Sequence, residues 1–308
     1  SRGGEMKKII SFCLWAQPDW WKEGRQLIDT YIMGALANAD IAKKEWPDWT
    51  CRYYIDKSTI DTSIINELKS RDNVEVVLFE NHEGYFSTLW RFYAFADNDS
   101  DYIISRDIDS RLSPRDKAAV DEWLESGMDF HIMRDSCQHG VPISAGMFGV
   151  RGNAIDNISK VIDVYRDFAI REDKYNWFGV DQHFLEKIIY PQTKGKSLVH
   201  DDWTPNQSRF AGEDRKPFPI PRLRGEGWWE KELPKWHNAS FDKKTCSNPE
   251  CKLGCSVSWC TRTPCPGCGK YHDNDHIGKI TEGIGKEELE KYTHISRPEK
   301  ERLRKDLI

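Results

Sequence analysis

Apolar and polar positions between residues 7 and 203 follow two alternating periods. Short apolar runs rich in β-forming residues predict buried strands at 7–15, 51–55, 74–79, 102–105, 129–133 and 143–150. Between these runs, apolar residues recur at helical spacing, which predicts helices at 24–44, 63–70, 86–96, 155–170 and 180–190. Strands that alternate with helices predict an α/β fold in which helices cover both faces of a mostly parallel sheet.

A polar turn and a further helix start follow the strand predicted at 102–105. The polar segment reads Ser105-Arg106-Asp107-Ile108-Asp109-Ser110-Arg111. After it, Ser113 is suited to cap a helix and Pro114 to occupy its first position, while Asp116 gives a pattern close to a capping box. Ligands of parallel sheets bind at the carboxyl ends of the strands, so we expect the polar segment to lie at a ligand-binding edge.

The two aspartates of this segment, Asp107 and Asp109, indicate a metal site. Side chains at i and i+2 point the same way while the chain stays extended, so the two carboxylates repel each other unless a cation lies between them. Mg²⁺ or Mn²⁺ bound by one or two carboxylates and a diphosphate is the usual arrangement. A solvated turn whose aspartates cap the next helix is the simpler alternative. The flanking Arg106 and Arg111 favour the metal site, because both can face phosphates.

Several segments, taken in order, resemble the DxD glycosyltransferases of the GT-A fold. More narrowly, the chain resembles GT-A transferases found in large algal viruses, phages and bacterial polysaccharide loci. The matching segments are KKIISFCLW, ALANADIAKKEWPDWTCRYYID, LWRFYAF, YIISRDIDSRLSPRDKAAVDEW, DFHIMRD, ISAGMFGVRG, WFGVDQHFL and VHDDW. The sequence has no G-x-G-x-x-G fingerprint and no Walker A lysine motif, so nicotinamide and ATP binding are not favoured.

On the donor side, the resemblance implies a site built around the two aspartates. It implies that Asp109 binds the metal directly and that Asp107 contacts the ribose or a metal-bound water. A further metal ligand usually comes from late in the fold, and His200 fits this role, with a surface turn histidine as the alternative. Arg91 is a candidate for the diphosphate or for an ion pair with an aspartate. The segment from Ser11 to Trp15 is expected to border the nucleotide.

On the sugar and acceptor side, the sequence offers one glycine and two further carboxylates. Gly146, in the strand edge Ser144-Ala145-Gly146-Met147, allows close backbone approach to a sugar, with a β-bulge as the alternative. Asp181 lies near a predicted helix start, where it can be the base that deprotonates the acceptor, a ligand to the donor sugar, or a plain N-cap. Asp135 is the other candidate base. The sequence leaves open whether transfer inverts or retains the anomeric centre.

A cysteine-rich segment near the C-terminus predicts a zinc-binding module. Thiolates spaced C-x₂-C can bind one metal from a tight turn, and the form C-P-x-C-G is that of a zinc knuckle. Disulfides are the alternative, and a reducing compartment disfavours them. The zinc is expected to be structural, with recognition of a partner such as nucleic acid as the second reading. The predicted ligands are Cys246, Cys251, Cys255, Cys260, Cys265, Cys268, His272 and His276, in a module at 226–308 that follows a transferase domain at 1–225.

Composition narrows the function class only a little. The 308 residues carry a net charge of −5 and a pI near 6.0, so no global attraction to nucleic acid is expected. No apolar stretch has the length of a membrane span and no secretory signal is visible, so we expect a cytoplasmic protein, in the host cytoplasm if viral.

The function that these patterns favour is metal-dependent transfer of a hexosyl or pentosyl group from a nucleotide-sugar donor to a hydroxyl of a glycan or glycoconjugate. One alternative is a viral or phage enzyme that glycosylates hydroxylated bases of DNA. A second is an inactive zinc-dependent binding protein, which the intact Asp107, Asp109 and Asp181 disfavour.

Overall fold

The computed structural model describes residues 6–16, 31–134, 141–201 and 213–220. Asp135, the domain boundary at residue 225 and the whole predicted zinc module lie outside these residues, so the expectations placed on them stay predictions.

Seven strands form one sheet, in agreement with the predicted α/β fold. Their order is β3-β2-β1-β4-β6-β5-β7, and all pairs are parallel except those that β6 makes with β4 and β5. The predicted strand at 143–150 begins late, at Met147, because Met147 N–H closes a turn onto the carbonyl of Ser144 at 3.0 Å. The bounds are β1 Lys8–Leu14, β2 Trp49–Asp56, β3 Val74–Phe79, β4 Tyr102–Arg106, β5 Phe130–Arg134, β6 Met147–Arg151 and β7 Ser197–Asp201.

The described helices follow the predicted positions, with two changes of type. The aromatic helix Gly84–Ala96 is a 3₁₀ helix. The predicted helix at 180–190 is interrupted by the π-helical turn Leu185–Ile189, next to Pro191, which has no backbone N–H for a regular helix. The α-helices are α1 Met33–Glu45, α2 Thr62–Lys69, α3 Pro114–Ser126, α4 Ile158–Arg171, α5 Val180–Phe184 and α6 Tyr190–Thr193.

Strand alternation sorts the side chains of the sheet into two layers. In β1, Ile9 packs into a core with the aromatic helix and α4, whereas Ile10 and Phe12 pack into a core with α1 and α2. In β4, Ile103 and Ile104 divide in the same way. The sheet is therefore covered on both faces. Successive residues at the end of β4 point alternately to one layer and to the other, so odd-numbered residues share the layer of Ile103 and even-numbered residues that of Ile104. No helix in the described ranges is both long and apolar enough to cross a membrane.

Candidate active site

Charged side chains from three separate segments meet at the carboxyl edge of the sheet. Arg91 of the aromatic helix is 4% exposed, and one of its terminal nitrogens donates to Asp107 Oδ1 at 2.5 Å. The other terminal nitrogen donates to Asp181 Oδ2 at 2.7 Å. One buried cation thus joins the aspartate that follows β4 to the aspartate at the start of α5. Such charge-assisted bonds are among the stronger polar contacts in proteins.

The position of Asp107 follows from the parity of β4. Ile103, Ser105 and Asp107 are two residues apart, and Ile103 packs in the layer of the aromatic helix that carries Arg91. The strand ends at Arg106, and the carbonyl of Asp107 accepts a hydrogen bond from Ser110 N–H in a turn. The extended geometry that would place both aspartates on one side therefore stops at Asp107 and does not reach Asp109.

Gly146 lies directly against the Asp107 carboxylate. A Cβ atom at this glycine would overlap Asp107 Oδ2, so any other residue would displace the carboxylate. The neighbouring backbone is tied to β4, because Ser105 Oγ donates to the carbonyl of Ala145 at 2.7 Å. A glycine is therefore required at position 146 because it makes room for the Asp107 carboxylate.

Asp109 is 5% exposed, and the turn that carries it is held by a residue that the sequence reading missed. Asn38 of α1 is fully buried and donates to the carbonyls of Ser110, at 2.7 Å, and Ile108, at 3.3 Å. Its Oδ1 accepts from Leu112 N–H at 3.1 Å. The sequence does contain a pattern that points to Asn38: it stands three residues after Ala35 and four before Ala42, so it is a polar residue on the apolar face of a helix.

Asp181 lies in the first turn of α5 and is oriented by two donors. Gly179, with φ of 96°, is the N-cap, so the reading of Asp181 as the N-cap is wrong. Asp181 Oδ1 accepts from Gln182 N–H at 2.8 Å, while Oδ2 accepts from Arg91. The Gln182 side chain donates to the carbonyl of Ile143 and accepts from Ala145 N–H at 3.3 Å. The same helix start therefore holds Asp181 and the segment that precedes Gly146.

Two residues expected at the nucleotide are buried in the packing beneath this edge. Ser11 is fully buried and donates through Oγ to the carbonyl of Arg91 at 2.6 Å, so it supports the bridging arginine. Trp15 is 5% exposed, stacks on His82 with ring centroids 5.8 Å apart, and meets Tyr85 edge-on at 5.9 Å.

The side chains of Arg106 and His200 face the other layer of the sheet, and Arg106 meets Arg91 only through its backbone carbonyl, which accepts from Arg91 at 3.3 Å. In β4, Arg106 has the opposite parity to Asp107, and its guanidinium binds both carboxylate oxygens of Asp116 in α3, at 2.7 and 3.1 Å. In β7, His200 Nε2 pairs with Glu122 of α3 at 2.8 Å. The side chain of Arg106 is therefore not placed to bind the donor, and that of His200 is not placed to bind a metal beside Asp107.

The electrostatic environment keeps Arg91 charged. Burial alone would lower the pKa of Arg91, but the charges of Asp107 and Asp181 outweigh it, and the pKa is raised above its ordinary value. Cys13, which donates to the carbonyl of Thr88 at 3.8 Å, has its pKa raised to about 12, chiefly by burial. Arg91 Nε is among the side-chain atoms of the described residues that are buried without a hydrogen-bond partner.

The carboxylate oxygens of Asp107 and Asp109 are the donor type that suits a divalent ion whose other ligands come from a substrate. No group of three or more His, Cys, Asp or Glu side chains with metal-binding geometry occurs in the described residues. Mg²⁺ and Mn²⁺ sites in phosphate-handling enzymes commonly use only one or two carboxylates, together with phosphate oxygens and water. Asp107 and Asp109 offer carboxylates of this type, and the Asp107 carboxylate occupies the space that Gly146 leaves open.

Comparison with known proteins finds similarity at the level of structure only. No family model and no curated protein matches the sequence. The chain is similar to a nucleotide-diphospho-sugar transferase from Desulfovibrio desulfuricans G20, with 11% identity and a TM-score of 0.39 over 64% of this chain and 80% of that one. It is also similar to residues 1–349 of S. aureus TarS, with 14% identity and a TM-score of 0.39 over 64% of this chain and 58% of that one.

TarS has also been solved in complex with UDP-GlcNAc, and that structure has a TM-score of 0.38 and 14% identity to this chain over 64% of its length and 56% of TarS. A 4-diphosphocytidyl-2C-methyl-D-erythritol synthase from Anaerococcus prevotii DSM 20548 is similar at 11% identity and a TM-score of 0.37, over 64% of this chain and 87% of that one. TM-scores below 0.5 do not define a shared fold.

Proposed function

We propose that this chain is a metal-dependent glycosyltransferase of the GT-A type, which moves a hexosyl or pentosyl group from a nucleotide-sugar donor to a hydroxyl of a glycan or glycoconjugate. The observation that carries the proposal is the Arg91 bridge between Asp107 and Asp181. A buried cation that joins two carboxylates at the carboxyl edge of an α/β sheet suits a reaction in which a diphosphate leaves on one side and a hydroxyl attacks on the other.

In this proposal, Asp107 and Asp109 would hold Mn²⁺ or Mg²⁺. The ion, when bound, stabilises the negative charge of the departing diphosphate. Arg91 contributes a fixed positive charge next to Asp107. Because it lies between the Asp107 and Asp181 carboxylates, it also offsets the repulsion between their negative charges. Because Arg91 is buried, this charge is screened less by water than a surface arginine would be.

Transfer breaks the bond between the anomeric carbon and the diphosphate oxygen, and the acceptor oxygen forms the new bond to that carbon. We assign Asp181 as the base that takes the acceptor proton. Arg91 and Gln182 N–H hold its two oxygens, so its carboxylate keeps one orientation while a substrate hydroxyl approaches. A retaining reaction would instead use Asp181 as a ligand to the donor sugar.

The experiment that tests the proposal measures release of nucleoside diphosphate from a panel of nucleotide sugars with excess Mn²⁺. Asp109→Asn should abolish turnover and leave the fold intact, because a neutral amide is a poor ligand for a hard cation. Asp121→Asn is the matched control, since this carboxylate pairs with Lys117 on the outer part of α3 and should not affect the rate. A folded Asp109→Asn protein with the wild-type rate would show that the metal assignment is wrong.

A further inference from the structure

The turn that carries Asp109 makes three hydrogen bonds with one buried amide, two of which the amide donates and one of which it accepts. Asn38 donates to the carbonyls of Ile108 and Ser110 and accepts from Leu112 N–H. Its side chain thereby uses both of its N–H groups and its oxygen on the backbone of a single turn. Ile108 and Leu112 are themselves buried in the core beneath α1, so the turn is fixed by apolar packing as well as by Asn38.

One helical turn before Asn38, at Gly34, α1 approaches the Asp109 turn so closely that no side chain fits between them. A Cβ atom at Gly34 would overlap the carbonyl oxygen of Ile108, the same oxygen that accepts from Asn38. Gly34 and Asn38 are four residues apart and therefore lie on one face of α1. The backbone between Asp107 and Asp109 thus rests on a glycine and an asparagine of a single helix face.

Resting on the proposed function, we infer that Asn38 is the positioning residue of the metal-binding turn. It acts through the backbone, since its three hydrogen bonds go to the main chain of Ile108, Ser110 and Leu112. Residues that orient the ligands of a metal without touching it are a recognised determinant of affinity. Removing the amide would leave two carbonyls and one N–H of the turn without their buried partner, and the turn would lose the single conformation that presents Asp109.

The chain supplies a matched control for this inference. Asn73 donates through its side-chain amide to the carbonyl of Ala39 at 2.8 Å, so it also ties α1 to the neighbouring backbone. Ala39 follows Asn38 directly, but the Asn73 contact joins α1 to the turn before the amino end of β3, whereas Asp109 follows the carboxyl end of the parallel strand β4. A variant that loses the Asn73 amide therefore weakens the attachment of α1 while leaving the metal-binding turn untouched.

The test is a titration with Mn²⁺ alone, followed by electron paramagnetic resonance of the free ion, with turnover measured in parallel. Asn38→Ala should weaken Mn²⁺ binding by about 10–100-fold, the usual effect of removing a residue that orients metal ligands. Its turnover should recover when Mn²⁺ is raised to saturation. Asn73→Ala should bind Mn²⁺ as the wild type does, even where its thermal midpoint falls. Asn38→Ser retains a hydroxyl for one of the bonds and is the variant to use if Asn38→Ala does not fold.

The outcomes separate the inference from the proposed function. If Asn38→Ala, or Asn38→Ser in its place, binds Mn²⁺ with wild-type affinity while Asp109→Asn does not bind it, the positioning role is refuted and the metal site stands. If Asn38→Ala and Asn73→Ala lose affinity equally, the effect is general destabilisation of α1 and the inference fails. If wild type and Asp109→Asn bind Mn²⁺ alike, the proposed metal site itself is wrong, and the inference falls with it.

Discussion

At the scale of single residues, the parity of a strand decides which charged side chains form the site. Asp107 and Arg106 are neighbours in sequence, yet one pairs with Arg91 and the other with Asp116 in the opposite layer. The sequence predicted that Arg106 would face phosphates in the same site as Asp107, because a linear motif does not show which face of the sheet each of its residues takes. For Arg91 the sequence predicted either the diphosphate or an ion pair with an aspartate, and the structure pairs it with Asp107 and with Asp181.

The residue-scale prediction concerns Asp181. If it is the base, Asp181→Asn should lower transfer by about 10²–10⁴-fold, the range for losing a positioned base, and donor affinity should change little. Turnover and donor binding by calorimetry, measured on the same preparation, separate the roles. Asp163→Asn is the control, because this carboxylate pairs with Arg166 on the exposed side of α4. A parallel fall in donor affinity would make Asp181 a sugar ligand, and unchanged turnover would remove it from the site.

At the scale of elements, the hydrophobic pattern predicted the strands and helices well because burial on one or both faces imposes a period. It could not predict that Gly146 makes room for Asp107, because that role depends on which residue lies across the pair of β4 and β6. It also missed Asn38, whose three partners are backbone atoms about seventy residues away in the chain. Local pattern does not specify long-range partners, so these assignments required the structure.

The element-scale prediction concerns the start of α3, which follows the metal-binding turn. Ser113 Oγ accepts from Asp116 N–H at 3.1 Å, as the sequence predicted for an N-cap. Ser113→Ala should lower the free energy of unfolding by about 1 kcal/mol, the usual cost of losing such a cap. Ser113→Thr keeps an acceptor oxygen and should lose less. Urea unfolding of the three proteins checks this, and equal stabilities of Ser113→Ala and wild type would show that the cap contributes nothing.

At the scale of the whole molecule, the layer opposite Arg91 is held by a buried polar chain. His131 Nε2 and His200 Nδ1 share a hydrogen bond of 2.8 Å, and His200 reaches Glu122. Lys216 also binds Glu122, and its backbone forms an isolated parallel bridge with His200 at the edge of β7. His200 was expected at the metal. Strand β7 does return to the edge of the sheet, but the His200 side chain points into the layer opposite Arg91, where it bonds to His131 and Glu122.

The whole-molecule prediction is a dependence of stability on pH. Burial, and then the neighbouring His200, lowers the pKa of His131 well below its ordinary value, and burial also lowers the pKa of His200 despite Glu122. The unfolded chain therefore binds more protons below about pH 6.5, and the free energy of unfolding should decline as pH falls from there toward the folded pKa values.

Urea unfolding of wild type and His131→Gln at about pH 7.5 and about pH 5.5 checks this dependence. His131→Gln removes one of the two titrating rings, so its stability should decline less on acidification than that of the wild type. An equal decline in both proteins would show that carboxylates, and not this histidine, govern the response.

The measurement that tests the central claim most directly is calorimetric titration of a nucleotide-sugar panel into wild type, Asp109→Asn and Asp121→Asn, each with and without Mn²⁺. The account predicts that at least one nucleotide sugar binds wild type and Asp121→Asn only when Mn²⁺ is present, and that Asp109→Asn does not bind it. Binding that is equally strong without Mn²⁺, or equally strong in Asp109→Asn, would contradict a metal-dependent donor site at Asp107 and Asp109.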